Sequence, residues 1–316
     1  MVVRTQILPL SAILLGISTV ATVQGRPQAA APNSRPPFDS LAQEQIRLGQ
    51  FAQARALYEQ ALALNPAALE ALTGVGDTYT LAGDYVAARR SYERLLARSA
   101  SLADTVQAHL RIAEALTFAG DIEGAESILA RGIRVVSAKA DPPLELTLVS
   151  RLNALQRWNG ELSQAEETIA QMERLGMHES FPEAIRRANV LRSIQLLAMV
   201  HAKRGDEASA RRLANEYILG REKAALPPQR EMTLGLVASY LGRYAEAIEL
   251  LERASETESM SYLQYYLGLA HAALGYRGRA RQYFERVSLW RGLAPVDRLQ
   301  LPLVRDLARR RLLEQQ

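Results

Sequence analysis

The sequence predicts an all-α chain, an α-solenoid of about seven helix–turn–helix units closed by a capping helix. Three observations predict it. Glycines recur at 49, 83, 120, 160, 205, 242 and 275, with first spacings of 34, 37 and 40 residues. Five residues after every one stands alanine: Ala54, Ala88, Ala125, Ala165, Ala210, Ala247 and Ala280. The composition is 48% hydrophobic but only 6% aromatic, which favours packed helices over sheets.

Each unit has a physical logic. The glycine supplies the left-handed conformation that ends the first helix. Eight residues before it lies an apolar residue: Leu41, Val75, Ile112, Leu152, Leu197, Leu234 and Leu267. The next position is small in six units (Ala42, Gly76, Ala113, Ala198, Gly235, Gly268), Asn153 being the exception. Two antiparallel helices approach closely only if both crossing positions are small. Nine residues past the glycine, Tyr58, Tyr92, Leu129, Ile169, Leu251 and Phe284 supply bulk. Ala214 departs, so the fifth unit is expected to pack more loosely.

The second unit shows the motif at its clearest, in Leu72, Val75, Gly76 and Tyr79, then the Gly83-Asp84-Tyr85 joint, then Ala88 and Tyr92. This pattern resembles the tetratricopeptide repeat, whose unit is a helix pair of about 34 residues. The resemblance covers about 39–287. It implies a right-handed superhelix whose first helices line a concave groove, and a role in holding peptides or partner proteins without catalysis. The Lys/Asn pattern of family members that clamp a C-terminal carboxylate is missing from the early units.

Extra residues between units carry breakers at Asp141-Pro142-Pro143, Gly176 to Pro182 and Leu226-Pro227-Pro228, so helices are lengthened there or loops inserted. Residues 295–316, with Leu299, Leu303, Leu307 and Leu312, read as the capping helix that repeat arrays require.

The N-terminus reads as a targeting segment. Residues 1–25 combine Arg4, an apolar run over 7–23 and small residues near Gly25, as in a secretory signal peptide. The rival is a membrane anchor formed by 7–23. A Pro/Ala linker over 26–38 follows, and 39–316 is the array. The expected location is therefore the periplasm or the exterior of a bacterial cell. The absence of cysteine excludes disulfides, thiolate metal sites and a cysteine nucleophile.

No catalytic or metal-ligating constellation emerges, so an enzyme, a cofactor and a metal are not expected. His109, His178, His201 and His271 show no ligand spacing. His201 and His271 are read as satisfied inter-helix residues, and His178 as a solvated loop residue. Glu123, Glu126, Glu166 and Glu167 read as solvated partners of Arg131 and Arg174.

The expected site is the groove, running from acidic (Glu70, Asp77) through basic to aromatic and Met-rich. The fourth and fifth units contribute Arg157, Trp158, Arg192, Gln195, Met199 and Lys203. The sixth and seventh add Met232, Tyr240, Tyr262 and Tyr265. Exposed Trp, Tyr and Arg dominate binding energy, and this set suits a partner segment with acidic and apolar residues. The chain's +4 net charge is uneven, because 277–316 holds ten Arg against four acids. The alternative function is thus an adaptor in which Arg309, Arg310 and Arg311 dock on anionic membrane or wall polymer. Nucleic acid is not an expected partner.

Overall fold

In the computed structural model, residues 38–227, 229–257, 261–289 and 301–314 are described. The targeting segment and nearly all of the linker lie outside them, as do Leu299 and the start of the expected cap. Every described element is a helix. The pairs are α1 (Phe38–Arg47) with α2 (Phe51–Leu64), α3 (Leu69–Ala82) with α4 (Tyr85–Arg98), and α5 (Leu102–Ala119) with α6 (Ile122–Ser137). Then come α7 (Pro142–Asn159) with α8 (Leu162–Gly176) and α9 (Glu183–Lys203) with α10 (Glu207–Lys223). The last are α11 (Arg230–Tyr240) with α12 (Tyr244–Thr257) and α13 (Ser261–Ala273) with α14 (Arg277–Ser288), followed by α15 (Leu301–Leu313). Each helix packs on its chain neighbour, which is solenoid packing.

The joints are built as expected. All seven glycines have φ between 74° and 87°. Asp84, Asp121 and Asp206, one residue further on, cap the next helix by accepting from a backbone N–H three residues ahead. The seven joint alanines are fully buried.

The crossing explains the pairing of small with bulky. A Cβ on Gly76 would lie 2.2 Å from a ring carbon of Tyr92, and one on Gly268 would lie 2.6 Å from Phe284. The large residue after the joint therefore lies flat on the small one before it. Asn153, the exception, is used: its Nδ2 donates to Ala165 O at 2.8 Å and its Oδ1 accepts from Arg157.

One expectation, the looseness of the fifth unit, is corrected, and two points that the pattern leaves open are resolved. The apolar position eight before the glycine is buried only at Val75, Ile112 and Leu267, and Leu41 is 45% exposed. The small neighbour faces the crossing, so the apolar residue is turned towards its flank. The fifth unit is not loose: Ala214 is fully buried, and Tyr217, three residues on, supplies the missing bulk at 2% exposure. Its hydroxyl donates to Gln229 at 2.6 Å. The proline breakers do not open long loops, either. Asp141 caps α7 with Pro142 in its first turn, and Pro182 precedes α9. The surplus residues lengthen helices instead: α5 and α7 have 18 residues and α9 has 21, against 14 in α3.

The described part of the cap, α15, buries Val304 and Ala308 completely and packs Leu307 and Leu312 against the core. It touches α14 and α13, and also reaches α5 in the third unit.

Candidate functional site: the concave face

The first helices of the units provide three consecutive surfaces. The first lies across units one to three. It is an open pocket of about 300 Å³ whose lining includes Asp39, Gln43, Tyr58, Glu70, Thr73, Asp77, Asp104 and Arg111. Four carboxylates thus face one guanidinium. Tyr58, read from the sequence as core bulk, has a buried ring, but its hydroxyl reaches the pocket, donating to Asp39 at 3.2 Å and accepting from Gln43 at 3.0 Å. Burial and the nearby Asp39 push its phenol well above the ordinary value.

The second surface is a buried charge ladder. Tyr92 donates to Asp77 at 2.8 Å, Arg111 bonds Glu114 at 2.9 Å and lies 3.7 Å from Asp77, and Arg151 lies 3.7 Å from Glu114. Burial alone would lower Arg111, but Asp77 and Glu114 overcome it and hold its pKa above normal. Arg151 is lowered by burial, which Glu114 only partly offsets. Taking such charges out of water offsets much of what their pairing returns, so the ladder adds little net stability, while removal of one partner would leave an uncompensated charge.

The third surface is where the expected site residues converge. Arg157, Trp158, Arg192, Gln195, Met199, Met232, Tyr240 and Tyr262 all line one cavity, joined by Leu236 and Tyr266. Lys203 sits beside it, its ammonium 5.0 Å from the Tyr240 ring centre and 5.8 Å from that of Trp158. Tyr265 packs on Trp158 with centroids 6.2 Å apart.

Their exposure differs from expectation. Gln195 is fully buried, Met232 is 2% exposed and Arg157 7%. Tyr240, Tyr265, Tyr266 and Trp158 contact one another face-on or edge-on, so the rings meet partners within the chain and narrow the groove. Interaction with Arg311 of α15 adds to the enclosure of Tyr265. The void left has a volume of about 30 Å³, room for one or two waters. Sequence offsets missed Tyr266, whose hydroxyl is 2.7 Å from that of Tyr240, because one helical face does not show which rings meet across helices.

Of the basic C-terminal residues, Arg309, Arg310 and Arg311 are all exposed, and Arg311 also bonds Glu314 at 2.8 Å and engages Tyr265. The histidines divide. His201 pairs with Asp206 at 3.0 Å and His178 with Ser180 at 2.9 Å. His271, expected to be satisfied, is 1% exposed and stacked on Tyr283, and its Nε2 lies 3.8 Å from Glu252, beyond hydrogen-bond length. Burial lowers its pKa. Glu166 pairs with Arg204 of the next unit, not with Arg174. Glu126 has one buried, unbonded oxygen, and burial with nearby acids raises its pKa. Among the described residues no helix is long and apolar enough to cross a membrane, and no acidic or histidine group has metal-site geometry.

Helix pairs joined at a left-handed glycine and crossing at alanine define a helical-repeat protein. The family model described as tetratricopeptide repeat matches residues 40–103 and 232–293, the first two and the last two helix pairs of the array. The unmatched middle is where the spacing stretches beyond the basic unit. The chain is similar to a solved tetratricopeptide repeat protein from Parabacteroides merdae, at 14% identity and a TM-score of 0.52, covering 86% of this chain and 97% of that one. It also aligns with an assembly chaperone of RpL4 (Acl4) at 16% identity and a TM-score of 0.35, covering 78% and 98%. At 14% identity the likeness to the Parabacteroides merdae protein speaks to fold alone. No curated protein matches the chain.

Proposed function

We propose that the chain is an exported scaffold of the bacterial envelope that holds a basic segment of a partner protein in the first half of its concave face. Protein–protein interaction is the role its repeats imply. The location rests on Arg4 and the apolar run over 7–23. One observation carries the choice of surface: the open pocket of about 300 Å³ presents Asp39, Glu70, Asp77 and Asp104 against Arg111 alone. The aromatic half is narrowed by its own side chains to a void of about 30 Å³, so a chain segment is accommodated in the acidic half. Complementary charge steers encounter and sets register.

Glu70 is the clean probe, because it is exposed and makes no side-chain bond among the described residues. Glu70→Lys should weaken binding of a fluorescent Lys/Arg-rich peptide to the full chain by roughly five- to tenfold at low salt. An unchanged affinity at full helical content removes the pocket from consideration.

The exposure of Arg309 and Arg310 favours a second reading, docking on anionic lipid or wall polymer. In that case anionic vesicles retain the parent chain and lose it when both arginines become glutamine, whereas Glu70→Lys has no effect.

A further inference from the structure

The narrow aromatic cavity between α7, α9, α11 and α13 holds more positive charge than its walls neutralise. Arg157 and Arg192 line it, Lys203 lies at its edge, and no carboxylate is among its lining residues. Arg157 is 7% exposed. Its Nε donates to Asn153 Oδ1 at 2.9 Å, but its two terminal nitrogens have no hydrogen-bond partner among the described residues. Arg192 spends one nitrogen on Gln195 Oε1 at 2.7 Å, and the Lys203 ammonium donates to the Arg157 backbone carbonyl. The Tyr240 and Tyr266 hydroxyls bond each other at 2.7 Å, which leaves one of their two hydrogens free to donate.

This arrangement is costly when empty of negative charge. An uncompensated buried cation forfeits much of its hydration. Burial, aggravated by repulsion from Arg192, pushes Arg157 down to about 10, and burial with repulsion from Arg157 pushes Lys203 down to about 8. Water in the void satisfies hydrogen bonds but not charge.

We propose that this cavity is the seat of one small monoanion, chloride or a single carboxylate group, held by the terminal nitrogens of Arg157 and the charges of Arg192 and Lys203. The small void, about 30 Å³, suits a small ion. Because the anion favours the charged lysine, binding takes up a proton when Lys203 is neutral.

The charged and titratable groups against that ammonium are Arg157 from α7, which repels it, and Tyr240 from α11, whose ring centre is 5.0 Å away, while Arg192 and Tyr266 act on Arg157. The acids flanking this end of α9 are engaged elsewhere. Glu166 of α8 pairs with Arg204, Glu207 of α10 with Arg211 and Arg243, and Asp206 with His201.

The test is thermal unfolding of the full chain in sodium gluconate, with gluconate replaced by chloride or formate at constant ionic strength. A saturable rise in Tm with either ion is expected, with a dissociation constant that weakens up to tenfold per pH unit above the lysine's titration. In a parallel arm an Asp/Glu-rich peptide is added in gluconate alone. A rise with the peptide and not with the free ions assigns the carboxylate to a partner. Arg157→Met should abolish the response. If that variant does not fold, Arg192→Gln should weaken it about tenfold and Lys203→Gln should remove its pH dependence. Chloride, formate and peptide all behaving as gluconate, or both glutamine variants responding like the parent, would overturn the assignment.

Discussion

Gly76 has no room for a side chain. The Tyr92 ring that would meet a Cβ is held by its bonds to Asp77 at 2.8 Å and Thr80 at 3.2 Å, so it does not yield. Helix propensity favours Gly→Ala by about 1 kcal/mol, whereas overpacking a fixed core costs about 1–3 kcal/mol. Gly76→Ala should therefore lower stability in chemical denaturation. Gly278, with nothing within 4 Å of its added Cβ, should gain from the same change. Lys203 gives a second test at this scale. Its pKa is about 8 folded against 10.5 for the free side chain. Between those values the unfolded chain binds more protons, so this group's contribution to stability rises with pH. The stability of Lys203→Met relative to the parent should fall, by on the order of 1–3 kcal/mol, as pH goes from 7 to 10.5. A pH-independent difference would mean that the ammonium is solvated. Gly76 is legible in the sequence because smallness recurs. The lysine's burial is not, since it depends on rings contributed by two other helices.

Among the elements, α9 shows what spacing conveys and what it hides. The longest interval between joint glycines precedes Gly205, and the sequence leaves open whether a loop or a longer helix absorbs it. The helix does, at 21 residues, and this carries Arg192, Gln195, Met199 and Lys203 as one face along the cavity. Ala88 lies at the crossing of α3 and α4 and is fully buried. Ala88→Leu should force that pair apart and cost about 1–3 kcal/mol, read as a lower Tm with helical content retained in the remaining pairs. A parental Tm would contradict the crossing. Ala140 and Ala225 are different: each stands in a connection ahead of a first helix with φ near 50°. Glycine relieves that strain, and Ala140→Gly should be neutral or stabilising despite the added freedom of the unfolded chain.

For the whole molecule, the sequence conveys the number of units and the polarity of the concave face, because both follow from a repeating offset. It does not convey that the aromatic half is narrowed, which depends on the curvature accumulated over four units. Repeat arrays are stabilised mainly by nearest neighbours, and terminal units fray independently of distant ones. Removing residues 290–316 should broaden the denaturant transition and lower its cooperativity, with Tyr265 becoming accessible to modification. A transition as sharp as the parent's would show that the terminal helix caps only the last pair.

The contact of α15 with α5 makes that outcome more than a matter of solubility. A chain that otherwise has two free ends is here partly closed into a loop, like a bracelet with its clasp fastened between the third and seventh links. Strain introduced at the basic tail is therefore felt in the middle of the molecule without passing through every intervening unit. Anything that pulls the tail away, whether a partner or a surface, slackens the part of the cradle next to the acidic pocket.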